Sequence, residues 1–440
     1  MTYEIYIHVP FCLRRCGYCD FNTYTAVDLG AGASRGNYAN MVIREMELTR
    51  AWQLEHGIDE PSASTVFFGG GTPTILSADD LVAMLEAIRR IWGLEPDAEI
   101  TTEANPDTVN EYYIGKLAEG GFTRISFGMQ SAVPHVLKTL DRTHTPASVE
   151  AGVRAANRFG LRSSVDLIYG APGESLDDWR TSVNTAIDLG VNHISAYALT
   201  VEPTTKMGRR IAAGALSKPD DDDEAAKYEI ADDLFSAAGL GWYEVSNWAR
   251  PGYESRHNLG YWRNVDWAGL GPGAHSHYNA RADVSGRPPL TRGLSAKLTG
   301  REMEFPTAQP REQTVVMNAL RAWDIAHPRL WGTALNEGHI PWGGSEAITP
   351  EENLEELIML GLRIRDGLDL GRINHEIEEF NATKPVGKTS SILRSIVVDQ
   401  LHPLIDEGLI VCEGHRVIPT RKGRLLNDML IERFFDLAGM

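Results

Sequence analysis

Three of the four cysteines in this 440-residue chain fall in one short stretch, Cys12-Leu-Arg-Arg-Cys16-Gly-Tyr-Cys19. Closely spaced thiols in a reducing compartment serve as metal ligands or a reactive group rather than as a disulfide framework. The spacing is not that of a zinc ribbon, whose two knuckles lie far apart, nor that of a four-cysteine ferredoxin run. Tetrahedral zinc would need a fourth ligand here, with His8 as the candidate. A 4Fe-4S cluster held by three thiolates would instead keep one iron open to a small molecule. The remote Cys412 reads as a buried structural thiol.

The elements that must position this loop alternate in a regular way. Strands are expected over Glu4–Val9, Ser64–Phe68, Glu99–Glu103, Thr123–Phe127, Arg162–Ile168 and Asn192–Ala198. Between them the clearest helical face is Leu81, Met84, Leu85, Ile88, Ile91 and Trp92, opened by Ser77 with Asp80 three residues on. Asn105-Pro106 and Thr145-Pro146 read as caps followed by proline at the first helical position, and Gly120-Gly121 and Gly160 as helix ends. Six βα repeats imply a parallel sheet with right-handed crossovers, as an open barrel or a doubly wound sheet.

After residue 240 the rhythm breaks. Trp242–Trp248 reads as an added edge strand and Ala268–His275 as a tight turn system. Residues 281–310 read as an irregular connection, followed by helices at Arg311–Trp323 and Glu351–Ile364. From Ser390 to Phe435 the order helix, helix, short hairpin, helix is winged-helix-like, with a structural or docking role. The expected domains are 1–280, the connection 281–310, and a mainly helical unit 311–440. Asp220–Glu224 reads as a solvated helix start. A formal net charge of -18 argues against nucleic acid as a main partner, and none is expected. No leader-like or membrane-spanning apolar run is present, so a cytoplasmic protein is expected.

The loop after a strand at the head of six βα units resembles the radical S-adenosylmethionine (SAM) superfamily. That resemblance implies a partial (β/α)6 barrel, a 4Fe-4S cluster on Cys12, Cys16 and Cys19, and SAM chelating the open iron. Tyr18 stands where the superfamily packs adenine. Polar residues should then gather where active sites of βα barrels lie, at the strand carboxyl ends. Gly69-Gly70-Gly71-Thr72-Pro73, Glu103, Ser126–Gln130, Arg142 and Asp166 all fall there.

More of the chain is similar to the coproporphyrinogen oxidase-like branch: Tyr6–Cys12, Phe68–Pro73, Glu103–Pro106, Ser126–Gln130, Asp166–Gly170 and the glycine run 269–273. The resemblance implies SAM contacts at Tyr6, Tyr18, Gly70, Gly71, Thr72, Glu103, Gln130, Arg142, Asp166 and Ala198. Oxygen-independent coproporphyrinogen III oxidases of the branch carry a fourth cysteine two positions after the third, where this chain has Phe21, and an amino-terminal arm for which Cys12 lies too near the start. Arg256-His-Asn-Leu-Gly-Tyr-Trp262 instead matches the HNxxYW motif of heme chaperones in the branch. By that resemblance His257, Tyr261 and Trp262 are the candidate heme-site residues, because neutral imidazole ligates iron and aromatic rings cover a porphyrin. His275 and His277 are alternatives. The expected partners are heme or a porphyrin, an acceptor hemoprotein in solution or at a membrane, and an electron donor. The alternative function is oxidative decarboxylation of coproporphyrinogen III.

Overall fold

The computed structural model describes residues 2–279, 318–382 and 392–440. Six parallel strands neighbour one another in chain order: β1 (Tyr3–Val9), β2 (Ala63–Gly70), β3 (Leu94–Ala104), β4 (Arg124–Gln130), β5 (Arg162–Tyr169) and β6 (His193–Ala198). All six expected strands are present, and they form the open βα barrel. Successive side chains of a strand point to opposite faces. On β1, Tyr3, Ile5, Ile7 and Val9 join the main apolar core, leaving Glu4, Tyr6 and His8 on the concave face. The same split on β2 sends Val66 and Phe68 to the core. The apolar face is covered by helices that include Tyr38–Glu55, Ala78–Ile91, Pro146–Arg158 and Leu176–Asp188. Ser77 and Asp80 form the expected capping box, as do Thr145 and Ser148. Asn105-Pro106 opens only a single turn, Pro106–Thr108, and the helix proper starts later at Glu111, capped by Asn110.

Both edges of the barrel are extended. A hairpin, β7 (Gly241–Glu244) and β8 (Asn247–Ala249), lies antiparallel against β6. On the other edge β9 (Asp266–Leu270) runs parallel to β1, and β10 (His275–Asn279), β11 (Ala319–Asp324) and β12 (Trp342–Ile348) continue antiparallel to one another. Two expectations are corrected here. The stretch 268–275 is a turn only at its centre, with strands on either side, and Ala319–Asp324 is strand rather than helix. β11 and β12 therefore belong to the twelve-stranded sheet, not to the carboxy-terminal unit. The connection expected over 281–310 and the start of the expected helix at 311 lie outside the described residues.

The carboxy-terminal unit has its own core, including Leu354, Ile358, Ile373, Leu404 and Phe434. Helix Pro350–Gly361 opens it and carries Leu354 and Ile358, and the tail shows the helix, hairpin, helix order, with β14 (Ile410–Glu413) and β15 (Arg416–Pro419) joined to β13 (Leu368–Asp369). Cys412 lies on β14, half-buried rather than buried. Asp220 caps the acidic helix Asp221–Ala237. That helix is also one of the places where the two units meet. Arg424 donates to both oxygens of Asp232 at 3.1 and 2.8 Å, and its guanidinium lies 4.4 Å from the ring centroid of Trp242. Both partners are largely buried, and Asp232 also accepts from the Trp248 indole at 2.8 Å. Removing one partner of a buried charge pair leaves the other uncompensated, at about 3–5 kcal/mol. Arg424→Ala is expected to lower unfolding stability by about that much, measured by urea denaturation. An unchanged midpoint would mean the units meet without this pair.

Candidate functional site

The cysteine loop leaves β1 and is clamped to the end of β2. Gly71 donates to the Val9 carbonyl at 2.8 Å and Thr72 to the Phe11 carbonyl at 2.8 Å. A side chain at Gly71 would stand 2.6 Å from the Phe11 oxygen and 3.1 Å from the Cys12 sulfur, so only glycine permits this approach. Farther along, Cys12 donates to Tyr24 at 2.9 Å, and Met207 of helix Lys206–Ala212 donates to Gly17 at 2.8 Å. Each thiol has its own neighbour: Thr72 Oγ1 at 3.7 Å from Cys12, Arg142 Nη1 at 3.3 Å from Cys16, and Thr23 Oγ1 at 3.8 Å from Cys19. Burial pushes the Cys12 and Cys19 thiols up.

The three thiols line one wall of a cavity of about 590 Å³ at the carboxyl ends of the strands. Among the described residues no three His, Cys, Asp or Glu groups converge as a single ion requires. His8 is no fourth ligand, because its Nε2 pairs with the Asn22 carbonyl at 3.0 Å and its Nδ1 with the Tyr6 hydroxyl at 3.1 Å. Thiols spread around a cavity, with hydrogen-bond donors beside them, suit a cluster better than zinc.

Tyr18, Gly70, Gly71, Thr72, Glu103, Gln130, Arg142, Asp166 and Ala198 line the same cavity. Gly70 adopts φ +103° and donates to Glu103 Oε2 at 3.2 Å. Burial, and then the charge of Asp166, push Glu103 up to about 8. Asp166 is also pushed up by burial and accepts from Ser126 Oγ at 3.0 Å on both oxygens. Gln130 holds a left-handed backbone, φ +61°, and its buried Oε1 has no partner; the buried Nε of Arg142 has none either. Unpaired buried polar atoms beside a cavity fit a polar ligand such as SAM. Tyr6 departs from expectation. It sits deeper on β1, its ring stacked 6.3 Å from Phe67, and does not line the cavity.

Below this site the cavity continues along Arg124, Ser126, Ser164, His193, Ser195 and Tyr197, down to Asn258. Most of these were not singled out from sequence. Their signal was there, as polar residues two apart on β4, β5 and β6. Helix Arg256–Trp262 closes the bottom. His257 is buried against Phe67, ring centroids 5.1 Å apart, with Nδ1 on Thr65 Oγ1 at 2.7 Å and Nε2 on the Tyr261 hydroxyl at 2.9 Å. Glu4 lies 3.6 Å from its Nδ1; burial pushes His257 down to about 3 and the Glu4 carboxyl up, so burial works against an ion pair here. Both ring nitrogens of His257 are therefore engaged in this structure, and iron would reach either one only by displacing Thr65 or Tyr261. Tyr261 packs edge-on to Trp267, and Trp262 hydrogen-bonds the buried Glu244. His277 stacks on Trp267, while His275 is exposed near Trp323.

A three-thiol loop at the head of an open six-stranded βα barrel defines a radical SAM protein. Residues 6–186 match the radical SAM superfamily and residues 348–426 the HemN C-terminal domain. The heme chaperone HemW of Mycobacterium tuberculosis is 38% identical over 98% of this chain and 94% of its own length. That of Bacillus subtilis is 31% identical over 98% of both. The chain belongs to the HemW family. Coproporphyrinogen III oxidase (HemN) from Escherichia coli shares the fold, with a TM-score of 0.71 and 18% identity over 98% of this chain and 90% of that one.

A carboxyl with a pKa higher in the folded than the unfolded state binds its proton more tightly when folded. Stability is then lost as pH rises from the unfolded value near 4.3 toward about 8. Glu103→Gln removes this contribution. Relative to the variant, ligand-free wild type is expected to lose melting temperature steadily between pH 5 and 8. A constant difference across that range would show that Glu103 does not hold its proton.

Proposed function

We propose that this chain is a heme chaperone that carries a 4Fe-4S cluster with SAM and hands heme to an acceptor protein. The observation that carries the reading is the full-length relationship to proteins named heme chaperones, at 38% identity over 98% of the chain. Phe21, 61% exposed, supports it by standing where the oxidases have a further cysteine. Cys12, Cys16 and Cys19 are the proposed cluster ligands. When bound, the cluster offers an iron without a protein thiolate to the amino and carboxylate groups of SAM. In this reading Glu103 takes the charge of an amino group, Gln130 and Asp166 accept from ribose hydroxyls, and Tyr18 packs the base. An acceptor hemoprotein and an electron donor complete the proposed partners. Among the described residues no helix is long and apolar enough to cross a membrane.

The reconstituted, reduced protein is expected to give a saturable shift of the heme absorption band and to transfer that heme to an apo-hemoprotein. Protoporphyrin formed from coproporphyrinogen III with SAM and reductant, above a Cys16→Ala control, would overturn the chaperone reading. His257→Ala is expected to keep the heme shift but lose about 2–4 kcal/mol of stability, because Thr65 and Tyr261 lose their shared partner and Phe67 its packing. Loss of the shift at unchanged stability would assign His257 to the heme site.

A further inference from the structure

Beside the cysteine loop, sharing Arg142 with the thiol-lined cavity, lies a second cavity of about 610 Å³. Arg14, Lys138, Arg142 and Arg210 face it against a single carboxylate, Asp141. That carboxylate is already divided between Arg14 at 3.5 Å and Lys206 at 2.8 Å. Lys138 and Arg210 form no ion pair among the described residues. In a chain with 60 acidic and 42 basic residues, this is a local reversal of the field. Unpaired cations around a concave site fit an anion that accepts several charge-assisted hydrogen bonds.

The neighbouring surface narrows the class of anion. Leu13 and Phe21, each 61% exposed, line the adjoining cavity, and Leu137 and Pro146 are in the wall of this one. A ligand matched to both features carries carboxylates on an apolar body. We propose that this cavity holds the propionate carboxylates of heme, with Lys138 and Arg210 as their partners and the macrocycle directed toward Leu13 and Phe21. This rests on the heme reading above and deepens it by naming which end of the ligand is held and where.

The test uses the full chain with its cluster reconstituted and compares ferric heme with heme dimethyl ester, whose propionates carry no charge. Wild type is expected to bind the free acid about tenfold or more tightly than the ester, as two charge-assisted contacts imply. Lys138→Gln with Arg210→Gln should abolish that preference, leaving ester affinity and the cluster absorption unchanged. The proposal is overturned if the double variant keeps the preference, or if it weakens both ligands equally. It is also overturned if the variant instead loses affinity only for pyrophosphate, which would make the cavity a phosphate site. If wild type binds neither heme nor ester, the heme reading itself fails and this assignment falls with it.

Discussion

The close approach of Gly71 to the backbone of Val9 and Phe11 is the constraint on which the site depends. It joins the cysteine loop to the end of β2 by two main-chain hydrogen bonds and brings Thr72 to the Cys12 sulfur. A side chain there would meet carbonyl oxygen, which cannot yield as a flexible side chain can. The same turn fixes Gly70 at positive φ, and from that position its N–H reaches Glu103 on β3. One turn therefore sets the spacing between the thiols and the carboxylates across the mouth of the barrel. Loops carry chemistry when a rigid scaffold holds them, and here the scaffold is two parallel strands.

The concave face of the sheet explains why the cavity is deep. Alternation puts Glu4, Glu99, Arg124 and Asp166 inside, where an unpaired charge is costly. The costs are relieved locally. Arg124 lies 3.6 Å from Glu99 and donates to the Tyr253 carbonyl, while Asp166 accepts from Ser126. Helix Arg256–Trp262 then seals the lower end, with Gly260 packed directly over Glu4. His257 is the pin of that seal.

What could be read from sequence and what could not divides along physical lines. The six strands, the capping boxes at Ser77 and Thr145 and the three thiols are local signals, and each survives in the fold. Ala319–Asp324 does not announce its state, because six residues of mixed pattern suit a helix or a strand equally. Pairing between β10 and β12 decides it. The glycine run has the same ambiguity: Gly269 is in a strand because it pairs with Tyr6 on β1, and it is glycine because the His275 backbone leaves no space for a side chain. His257 shows a different limit. A motif can mark the family while saying nothing of which atoms are free, and only the positions of Thr65 and Tyr261 reveal that both nitrogens are occupied.

The strands beyond the barrel brace the site. Glu45, on the helix that follows the cysteine loop, accepts from Gly271 N–H at 2.8 Å and from the Trp331 indole at 3.2 Å. Its neighbour Asp324 is at the end of β11, and burial pushes Glu45 up to about 7 and Asp324 up as well. Two buried carboxyls in contact cannot both ionise cheaply, so the pair holds a proton and acts as a hydrogen bond between helix and sheet. The turn it grips lies against the His8 carbonyl, which also accepts from the Tyr38 hydroxyl. His8 is four residues before Cys12. The extension of the sheet is thereby tied, through the Glu45 carboxyl and one turn, to the strand that carries the cysteine loop.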